Sequence, residues 1–417
     1  MKKELLLCSL AGILLTGITG CSNDEPWNDP DYTLQKEDIK VDYPETGFTA
    51  NAGQSFLIEV KSVSDKNVTY VWLIDGKEVA KTKSFTHTFM QTGTYQLTLK
   101  VSQDQTNFEY TYTVNVGYAE LPETPKDASP YITKVLEYRP APGQFVNTMP
   151  AYEEGDTQET MNEKVLNAIG NNKKGLITLG GYGGYVTVGF DHTIRNAKDA
   201  NDFLVLGNAF ANNSEPGIIQ VAYDVNQNGQ PDEEEWFEIA GSAHLDPKQE
   251  TWYEQVKQAG NIVETYLDYS ITYKKPAKEP TTNEEKENYI YWEDNKGHKG
   301  YKVMNLYHSQ PYYPQWIEEE QLVFTGTCLP QNGISQGTEQ VPYFVLPSFA
   351  YGYADNYPND AAEAGIDIDW AVDKNGKPAN LPGVDFIKIY TGVNQENGWL
   401  GENSTEVCGV TDLNLTK

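Results

Sequence analysis

"LITLGGYGGYVTVGFDHTI", residues 176–194, joins a run of glycines to a strand-like pattern, and the two parts together decide the fold. Glycine runs often bind phosphate, but a P-loop needs Gly-Lys-Ser/Thr at the start of a helix, and no such triplet follows here. A dinucleotide fingerprint that starts at Gly181 needs glycine at position 186, where Val186 stands. The following "YVTVGF" alternates β-branched and aromatic residues, which is typical of a strand. The stretch therefore predicts a turn or bulge at residues 180–184, between two strands, and not a nucleotide site.

The composition of the whole chain favours an all-β extracellular protein. Its 417 residues are enough for two or three domains, and they include 28 Tyr, 8 Trp and 35 Gly. The formal net charge of -29 argues against nucleic acid as a partner, because an acidic chain repels a phosphate backbone. The same charge is compatible with bound cations and with neutral ligands.

The N-terminus resembles that of a bacterial lipoprotein. Two lysines at 2–3 precede an apolar stretch that is too short to span a membrane and that ends in Ile-Thr-Gly-Cys at Cys21. The pattern predicts a signal peptide at 1–20 and lipidation of Cys21, although a secretory signal with an incidental cysteine has the same outline. The short acidic tract Ser-Asn-Asp-Glu at 22–25 resembles the surface-export signal of Bacteroidota lipoproteins; the alternative is a plain polar tether. We therefore expect a lipid-anchored protein of the outer membrane that faces the extracellular side.

The cysteines fit an exported protein. Cys8 is removed with the signal peptide and Cys21 carries lipid, so that Cys328 and Cys408 remain. These two residues either form a disulfide or are two separately buried thiols, and their spacing does not decide between the alternatives.

The pattern along the chain predicts two β-domains: a tether at 21–38, a small domain at 39–117, a Pro-rich linker at 118–130 and a large domain at 131–417. In the small domain, "YVW" at 70–72, Asp-Gly at 75–76 and "GTYQLTL" at 93–99 resemble a PKD-type immunoglobulin-like sandwich. The resemblance implies a spacer or interaction module. The segment "LIDG" departs from the Phe-Gly-Asp-Gly that is frequent in that family.

The large domain alternates strand-like segments with turns, and we expect a jelly-roll-like β-sandwich with little helix. One helix is predicted at 159–170, where Gly170 can end it. The Lys/Glu-rich segment 274–300 is interpreted as an exposed insertion. No internal repeat of fixed period is present, which argues against propellers and solenoids.

The strongest local motif is "DVNQNGQPDEEE", residues 224–235, which predicts a calcium loop. A hard cation needs six to eight oxygen ligands, and this spacing supplies them within one small loop that turns sharply at Gly229. Because the flanks are strand-like, we expect a structural loop between strands and not a paired helical sensor; the alternative is a solvated Asn-Gly hairpin. The candidate ligands are Asp224, Asn226, Asn228, Gln230 through its carbonyl, Asp232 and Glu235.

A second acidic region at 352–376 allows other chemistry. Asp367 and Asp369 alternate with apolar residues, so that on a strand both carboxylates share one face, either as metal ligands, as the acid and base of a glycosidase, or as a plain polar face. Asp355 is either a ligand or a turn residue. The chain has neither a Gly-x-Ser-x-Gly elbow nor a His-Glu-x-x-His motif, which argues against an enzyme.

The aromatic segment "YKVMNLYHSQPYYPQW", residues 301–316, is the candidate ligand-binding region. Aromatic side chains in loops bind flat ligands such as sugar rings or a macrocycle, whereas the alternative is that they fill the core of a Leu-poor sandwich. The candidate contacts are Tyr307, Tyr312, Tyr313 and Trp316.

Three segments together, 179–194, 202–210 and 384–413, resemble a set of Bacteroidota cell-surface lipoproteins with a PKD-like domain before a β-sandwich. Some of these occur near TonB-dependent uptake systems, including those for corrinoids. The resemblance implies the location and the architecture of the protein. From the lipid anchor, the tether and the loop aromatics we expect a non-catalytic protein that binds a cobalamin-like molecule or a glycan for a TonB-dependent outer-membrane transporter. The alternatives are an adhesin or scaffold and, third, a glycoside hydrolase.

Overall fold

The computed structural model describes residues 32–338, 341 and 343–416. The predicted signal peptide, Cys8 and the lipidation site Cys21 lie outside these residues. The chain divides into two compact units. The described part of the small unit comprises residues 32–50, 55–89 and 93–116, and that of the large unit comprises 51–54, 90–92 and the residues from 117 onward.

The small unit is made of antiparallel strands around an aromatic core. Five strands form one sheet in the order β2-β9-β8-β5-β6, and the pairs β1-β4 and β3-β7 complete the unit. Trp72 on β5 is fully buried and lies 5.0 Å from the Phe85 ring on β7. The strands are β1 (Ile39–Val41), β2 (Phe48–Asn51), β3 (Ser55–Ile58), β4 (Val60–Ser62), β5 (Val68–Ile74), β6 (Lys77–Ala80), β7 (Phe85–Thr88), β8 (Gly93–Gln103) and β9 (Thr106–Gly117).

The large unit also consists mainly of strands, which confirms the predicted all-β fold class. Its three α-helices within the described residues are α1 (Gln158–Ile169), α2 (Tyr253–Gln258) and α3 (Asn283–Glu287). Its strands are β10 (Lys134–Arg139), β11 (Ile177–Thr178), β12 (Tyr185–Arg195), β13 (Phe203–Leu206), β14 (Gly217–Ala222), β15 (Trp236–Ile239), β16 (Tyr266–Lys274), β17 (Ile290–Asp294), β18 (Lys299–Lys302), β19 (Gln321–Cys328), β20 (Ile334–Ser335), β21 (Phe344–Val345), β22 (Gly365–Ile366), β23 (Ala371–Val372), β24 (Gly383–Thr391), β25 (Glu406–Val407) and β26 (Gly409–Asp412).

Two antiparallel sheets of the large unit pack face to face around buried tyrosines. The first has the order β10-β12-β24-β14-β15-β23, and the second has the order β18-β17-β16-β19. Tyr185 of the first sheet and Phe324 of the second meet edge to face with 6.3 Å between their ring centroids. The hydroxyl of Tyr273 donates to the carbonyl of Tyr182. Aromatic residues make up 11 of the 24 buried residues of this core.

The second sheet corrects the prediction of an exposed insertion at 274–300. β17 and the start of β18 lie in that segment; β17 is an inner strand of the sheet, β18 is its edge strand, and Ile290 on β17 is fully buried. The segment was misinterpreted because its charged residues surround a short apolar run, and that run is enough to make a paired strand.

The glycine run forms the turn between β11 and β12 that the sequence predicts. Gly180 has a φ of +69°, and a Cβ atom there would lie 2.0 Å from the carbonyl oxygen of Ala141. A Cβ atom on Gly184 would lie 1.9 Å from the carbonyl oxygen of Leu179. The glycines are needed because other backbone comes close to the turn.

Helix α1 agrees with its prediction to within one residue at each end. It begins after Thr157, whose hydroxyl accepts a hydrogen bond from the N–H of Thr160, and it ends at Gly170. Met161, Val165 and Ile169, four residues apart, form its buried face. Among the described residues, no helix has the length and apolarity that a membrane span requires.

Candidate functional site

A cavity of about 540 Å³ in the large unit brings together carboxyl groups and exposed aromatic rings. Glu215, Glu402 and Glu406 line its polar side. Tyr307 and Trp399 line it as well, and they are 76% and 50% exposed. Its volume is within the range of about 300–1,000 Å³ that is usual for ligand pockets. We call this cavity the acidic pocket.

Three acidic side chains meet at the acidic pocket from distant parts of the sequence. Glu215 directly precedes β14, Asp355 lies in the loop between β21 and β22, and Glu406 begins β25. One carboxylate oxygen from each lies within 4.8 Å of those of the other two. We call these three residues the carboxyl cluster.

Asp355 is the structural centre of the carboxyl cluster. Its Oδ1 accepts hydrogen bonds from the backbone N–H groups of Asn208 and Ala209, both at 2.8 Å, and its Oδ2 accepts from the N–H of Glu406 at 3.0 Å. Gly207 makes this approach possible, since a Cβ atom there would lie 2.3 Å from Oδ1. Asp355 therefore joins the chain after β13 to the start of β25.

The other two members of the carboxyl cluster are held by neighbouring polar groups. Oε1 of Glu406 accepts from the hydroxyls of Ser404 at 2.9 Å and Thr178 at 3.1 Å, and Oε2 accepts from the carboxamide of Asn208 at 3.3 Å. Oε1 of Glu215 accepts from the N–H of Ser404 at 3.1 Å. The pairing of Thr178 with Glu406 follows the register of β11 against β25.

Burial makes these carboxyl groups weak acids. Burial, reinforced by the charge of Asp355, raises the pKa of Glu406 to about 8. Burial raises the pKa of Asp355 to about 7, and burial together with Glu406 and Asp355 raises the pKa of Glu215 well above its ordinary value. Near neutral pH the carboxyl cluster therefore holds protons and offers both hydrogen-bond donors and acceptors.

Glu402 is the third glutamate that lines the acidic pocket. Its Oε1 accepts from the N–H of Gln144 at 2.7 Å. Burial raises its pKa to about 7, although the nearby ammonium of Lys302 acts in the other direction. Lys302 is 1% exposed and its Nζ lies 2.7 Å from Oε1 of Glu396. A Cβ atom on Gly181 would lie 2.8 Å from that Nζ, so the glycine turn also makes room for this ammonium.

The loop that carries Tyr307 is held by Asn305. The Oδ1 of Asn305 accepts from the N–H of Tyr307 at 2.8 Å and from the N–H of His308 at 2.9 Å. The hydroxyl of Tyr312 accepts from the N–H of Asn305 and donates to the carbonyl of His308. His308 packs edge to face against Phe145, with 4.6 Å between the ring centroids. These contacts fix the loop backbone while Tyr307 stays exposed.

Of the four aromatic residues predicted to bind ligand, only Tyr307 lines the acidic pocket. The structure contradicts the prediction that Tyr312 and Tyr313 contact a ligand, because they are 1% and 4% exposed and belong to the core. The prediction for Trp316 is corrected as well. Its ring stacks on those of Tyr138 and Tyr152, with 5.7 and 6.4 Å between the ring centroids.

The predicted calcium loop lies between β14 and β15, at the far end of β14 from Glu215. Asp224 accepts from the N–H of Asn228 at 3.0 Å and from the N–H of Gly229 at 2.7 Å. Glu235 is 1% exposed, and its two oxygens accept from the N–H groups of Val225 and Asp232, both at 2.9 Å. The first and last candidate ligands therefore close the loop on itself.

The donor set of this loop fits a calcium ion. The carboxamides of Asn226 and Asn228 both donate to Oδ2 of Asp232, at 2.6 and 2.9 Å, so that three candidate ligands converge on one point. Rotation of the two carboxamides would turn their oxygens toward that point. Burial raises the pKa of Glu235 against the hydrogen bonds from the N–H groups of Asp232 and Val225, and the charges of Asp224 and Asp232 add a smaller increase. A bound cation would lower this pKa. Gln230 is exposed and its N–H donates to Oδ1 of Asn228.

Asp367 and Asp369 do not share a strand face, which corrects the predicted pair. β22 ends at Ile366, and Asp367 begins a short 3-10 helix in which it accepts from the N–H of Asp369. Asp369 is exposed and accepts from the carboxamide of Asn196. Their alternation with apolar residues is that of a helical turn, so this pair provides no acid and base across a bond.

The structure contains no disulfide between Cys328 and Cys408, and both are free thiols. Cys328 packs within the aromatic core, where burial raises the pKa of its thiol to about 12. Cys408 lies elsewhere, with its Sγ 3.6 Å from the carbonyl oxygen of Gly207. The sequence allows either a disulfide or two separate thiols, and the structure has two separate thiols.

Comparisons with known proteins identify the small unit. Residues 38–103 match the PKD-like domain family. The match covers most of the small unit and none of the acidic pocket. No curated protein sequence matches this chain.

Comparisons with solved structures give only distant similarity. A SusE-like protein is 10% identical over 92% of this chain and 99% of its own, with a TM-score of 0.20. The Bacteroides ovatus mixed-linkage glucan utilization protein SGBP-B, solved with a mixed-linkage heptasaccharide, is 12% identical over 84% of this chain and 99% of its own, with a TM-score of 0.16. A quinonprotein alcohol dehydrogenase-like protein from Bacteroides thetaiotaomicron is 14% identical over 24% of this chain, with a TM-score of 0.18, and this chain spans 23% of its length. Scores this low assign neither fold nor function.

Proposed function

We propose that the large unit binds a glycan in the acidic pocket without cleaving it. The observation that carries this proposal is one cavity of about 540 Å³ that has exposed aromatic rings, Tyr307 and Trp399, and a hydrogen-bonding wall of carboxyl groups. Sugars have the matching chemistry, because each ring has an apolar face that stacks on an aromatic side chain and a rim of hydroxyl groups.

The protonation of the carboxyl cluster suits a hydroxyl-rich ligand. A hydroxyl group both donates and accepts hydrogen bonds, so it is best matched by a wall that contains carboxylates together with protonated carboxyl groups. The raised pKa values of Glu215 and Glu406 favour such a mixture near neutral pH. A wall of fully ionised carboxylates would only accept hydrogen bonds and could donate none to a sugar hydroxyl.

The size of the acidic pocket favours a glycan over a cobalamin-like ligand. A few sugar rings fill a cavity of this volume, whereas a corrinoid with its nucleotide loop is larger than the cavity and would lie mostly outside it. The proposal therefore names a glycan as the nutrient.

The hydrogen bonds of the carboxyl cluster favour binding over hydrolysis. Both oxygens of Asp355 are engaged by backbone N–H groups, and both oxygens of Glu406 by side chains. A hydrolase remains the second candidate because two carboxyl groups, Glu215 and Glu406, stand close together with raised pKa values. Incubation of the chain with a bound oligosaccharide distinguishes the two functions: we expect unchanged oligosaccharide, and the release of shorter sugars that stops in the Glu215→Gln variant would establish hydrolysis.

We further propose that lipid on Cys21 anchors the chain to the outer face of the outer membrane, that the small PKD-like unit serves as a spacer, and that the ligand passes to a TonB-dependent transporter. The lipobox-like sequence before Cys21 and the acidic residues 22–25 support the anchor and its exposure. Labelled fatty acid should enter the wild-type chain and not Cys21→Ala, and protease added to intact cells should digest the chain. Protection until the cells are lysed would contradict surface exposure.

Calcium is part of the proposal as a structural ion. Asp224, Asn226, Asn228, Asp232 and Glu235, together with the carbonyl of Gln230, would hold it. The ion would fix the loop between β14 and β15. It takes no part in ligand contact.

A glycan array followed by titration calorimetry tests the binding function. We expect at least one oligosaccharide to bind the full chain, and Trp399→Ala to weaken it by about tenfold, because stacking and burial of a ring contribute roughly 1–2 kcal/mol. Tyr301→Ala is the matched control, since Tyr301 is 41% exposed but does not line the acidic pocket. Equal affinity in wild type and Trp399→Ala would contradict the site.

A further inference from the structure

The acidic pocket is lined by the carboxyl groups of Glu215, Glu402 and Glu406, and none of the described residues that line it is a lysine or an arginine. Its basic lining side chain is the imidazole of His308, which packs against the ring of Phe145. The cation close to this lining is Lys302, which is 1% exposed and bound to Glu396 at 2.7 Å. A fully buried, paired ammonium of this kind does not swing into the cavity, so the carboxyl cluster lacks a mobile counter-ion.

Glu215 is the member of the carboxyl cluster best placed to contact a ligand. It is half-buried and lines the cavity, and among the described residues it accepts one hydrogen bond, at Oε1. Asp355 and Glu406 each accept three hydrogen bonds, which leaves them little capacity for a ligand. A charged hydrogen bond from a ligand would therefore go to Glu215.

The aromatic side of the acidic pocket suits the same ligand chemistry. An ammonium group is attracted to the faces of tyrosine and tryptophan rings, and both Tyr307 and Trp399 line the cavity. An ammonium also forms a short, charge-assisted hydrogen bond with a carboxylate. An anionic sugar forms neither the contact with the aromatic faces nor the charge-assisted hydrogen bond, and the carboxylates of the acidic pocket repel it.

We propose that the acidic pocket selects glycans that contain an amino sugar with a free amino group, whose ammonium binds Glu215. This inference rests on the proposed glycan-binding function and adds the class of sugar. Binding of the ammonium supplies the positive charge that the carboxyl cluster lacks, so the carboxylate of Glu215 becomes favourable in the complex.

Three oligosaccharides of equal length and the same β-1,4 linkage test the inference by titration calorimetry against the full chain. Their units are glucosamine, N-acetylglucosamine and glucose, which differ only in the group on the second carbon. We expect the glucosamine oligomer to bind about tenfold more tightly than the other two, since a charge-assisted hydrogen bond is roughly twice as strong as a neutral one.

The variant Glu215→Gln should bring the three affinities to within about threefold of one another. Glu363→Gln, at an exposed position outside the lining, should keep the preference. The wild type alone provides a second measurement: added salt should weaken binding of the glucosamine oligomer more than binding of the glucose oligomer.

Equal or tighter binding of the glucose or acetylated oligomer would overturn the inference, and so would a preference that survives in Glu215→Gln or does not respond to salt. In these cases glycan binding itself stands. Binding of none of the three, with binding of another oligosaccharide from the array, likewise overturns only the inference. The absence of binding to every glycan overturns the proposed function as well.

Discussion

The large unit contains two acidic sites that are built in opposite ways. The calcium loop takes all its candidate ligands from twelve consecutive residues, 224–235, and most of that loop is exposed or half-buried. The carboxyl cluster takes Glu215, Asp355 and Glu406 from three segments more than fifty residues apart, and two of these are fully buried. β14 separates the two sites, because it begins after Glu215 and leads into the loop.

The difference between the sites follows from solvation. In the calcium loop, backbone N–H groups of the loop itself hold the carboxylates, so the site is complete in local sequence. In the carboxyl cluster, β-sheet pairing of remote strands brings the acids together, and burial sets their protonation. The first site is suited to an ion and the second to a ligand with polar groups. The predictions below test this contrast, beginning with the largest expected effect.

Removal of the Asp355 side chain should lower the free energy of unfolding more than any other substitution described below. In Asp355→Ala, three backbone N–H groups lose their acceptor in a buried site, and each orphaned donor costs roughly 1–3 kcal/mol. We expect the free energy of unfolding to fall by about 3 kcal/mol or more, measured by urea denaturation.

Asp360→Ala provides the control, because Asp360 is exposed in the same loop and should change the free energy of unfolding by less than about 0.5 kcal/mol. If the two variants were equally stable, Asp355 would not hold the carboxyl cluster together, and the contrast between the sites would fail.

The calcium loop should respond to its ion. Calcium at a hundred times its dissociation constant should stabilise the wild type by about 2.7 kcal/mol. In Asp224→Ala/Asp232→Ala the donor set is broken, so we expect no calcium-dependent change in melting temperature, measured by scanning calorimetry. Glu233→Ala/Glu234→Ala, at exposed positions outside the donor set, should keep the response. An equal melting temperature of the wild type with and without calcium would contradict the proposal that this loop binds calcium.

The carboxyl cluster should respond to pH. Glu406 binds its proton up to a pH of about 8 in the folded chain and up to its ordinary 4.5 when unfolded. Between these values the folded state holds more protons, so the free energy of unfolding falls as pH rises, and from pH 6 to pH 7 this group lowers it by about 1.4 kcal/mol. Glu406→Gln removes the contribution, and its unfolding free energy, from urea titrations at several pH values, should depend less on pH. Parallel pH profiles of the two proteins would contradict the burial argument.

The sequence predicts the local features of this molecule well. The strand after the glycine run, helix α1 and a loop between strands at residues 224–235 are each encoded in neighbouring residues, and the structure has these elements where they are predicted. Calcium binding by that loop stays a prediction. In the glycine run, the close approach of Ala141 to Gly180 supplies the physical reason for the composition.

The acidic pocket was missed because its signal is not local. Asp355 stands out in sequence only as a turn residue or ligand, and Glu406 lies in a segment without any motif. Their meeting depends on the pairing of β11 with β25 and on the close approach of Asp355 to Gly207, neither of which periodicity predicts. Tyr307 and Tyr312 lie five residues apart in the same aromatic segment, yet one is exposed and the other is core.

The most direct test of the central claim is a crystal structure of the chain with the oligosaccharide that binds most tightly on the array. We predict that sugar rings occupy the acidic pocket, with Tyr307 or Trp399 stacked on a ring and Glu215 in hydrogen-bond contact. If crystals grown at a saturating concentration of the oligosaccharide showed it bound elsewhere on the chain, with only water in the acidic pocket, the account would be contradicted.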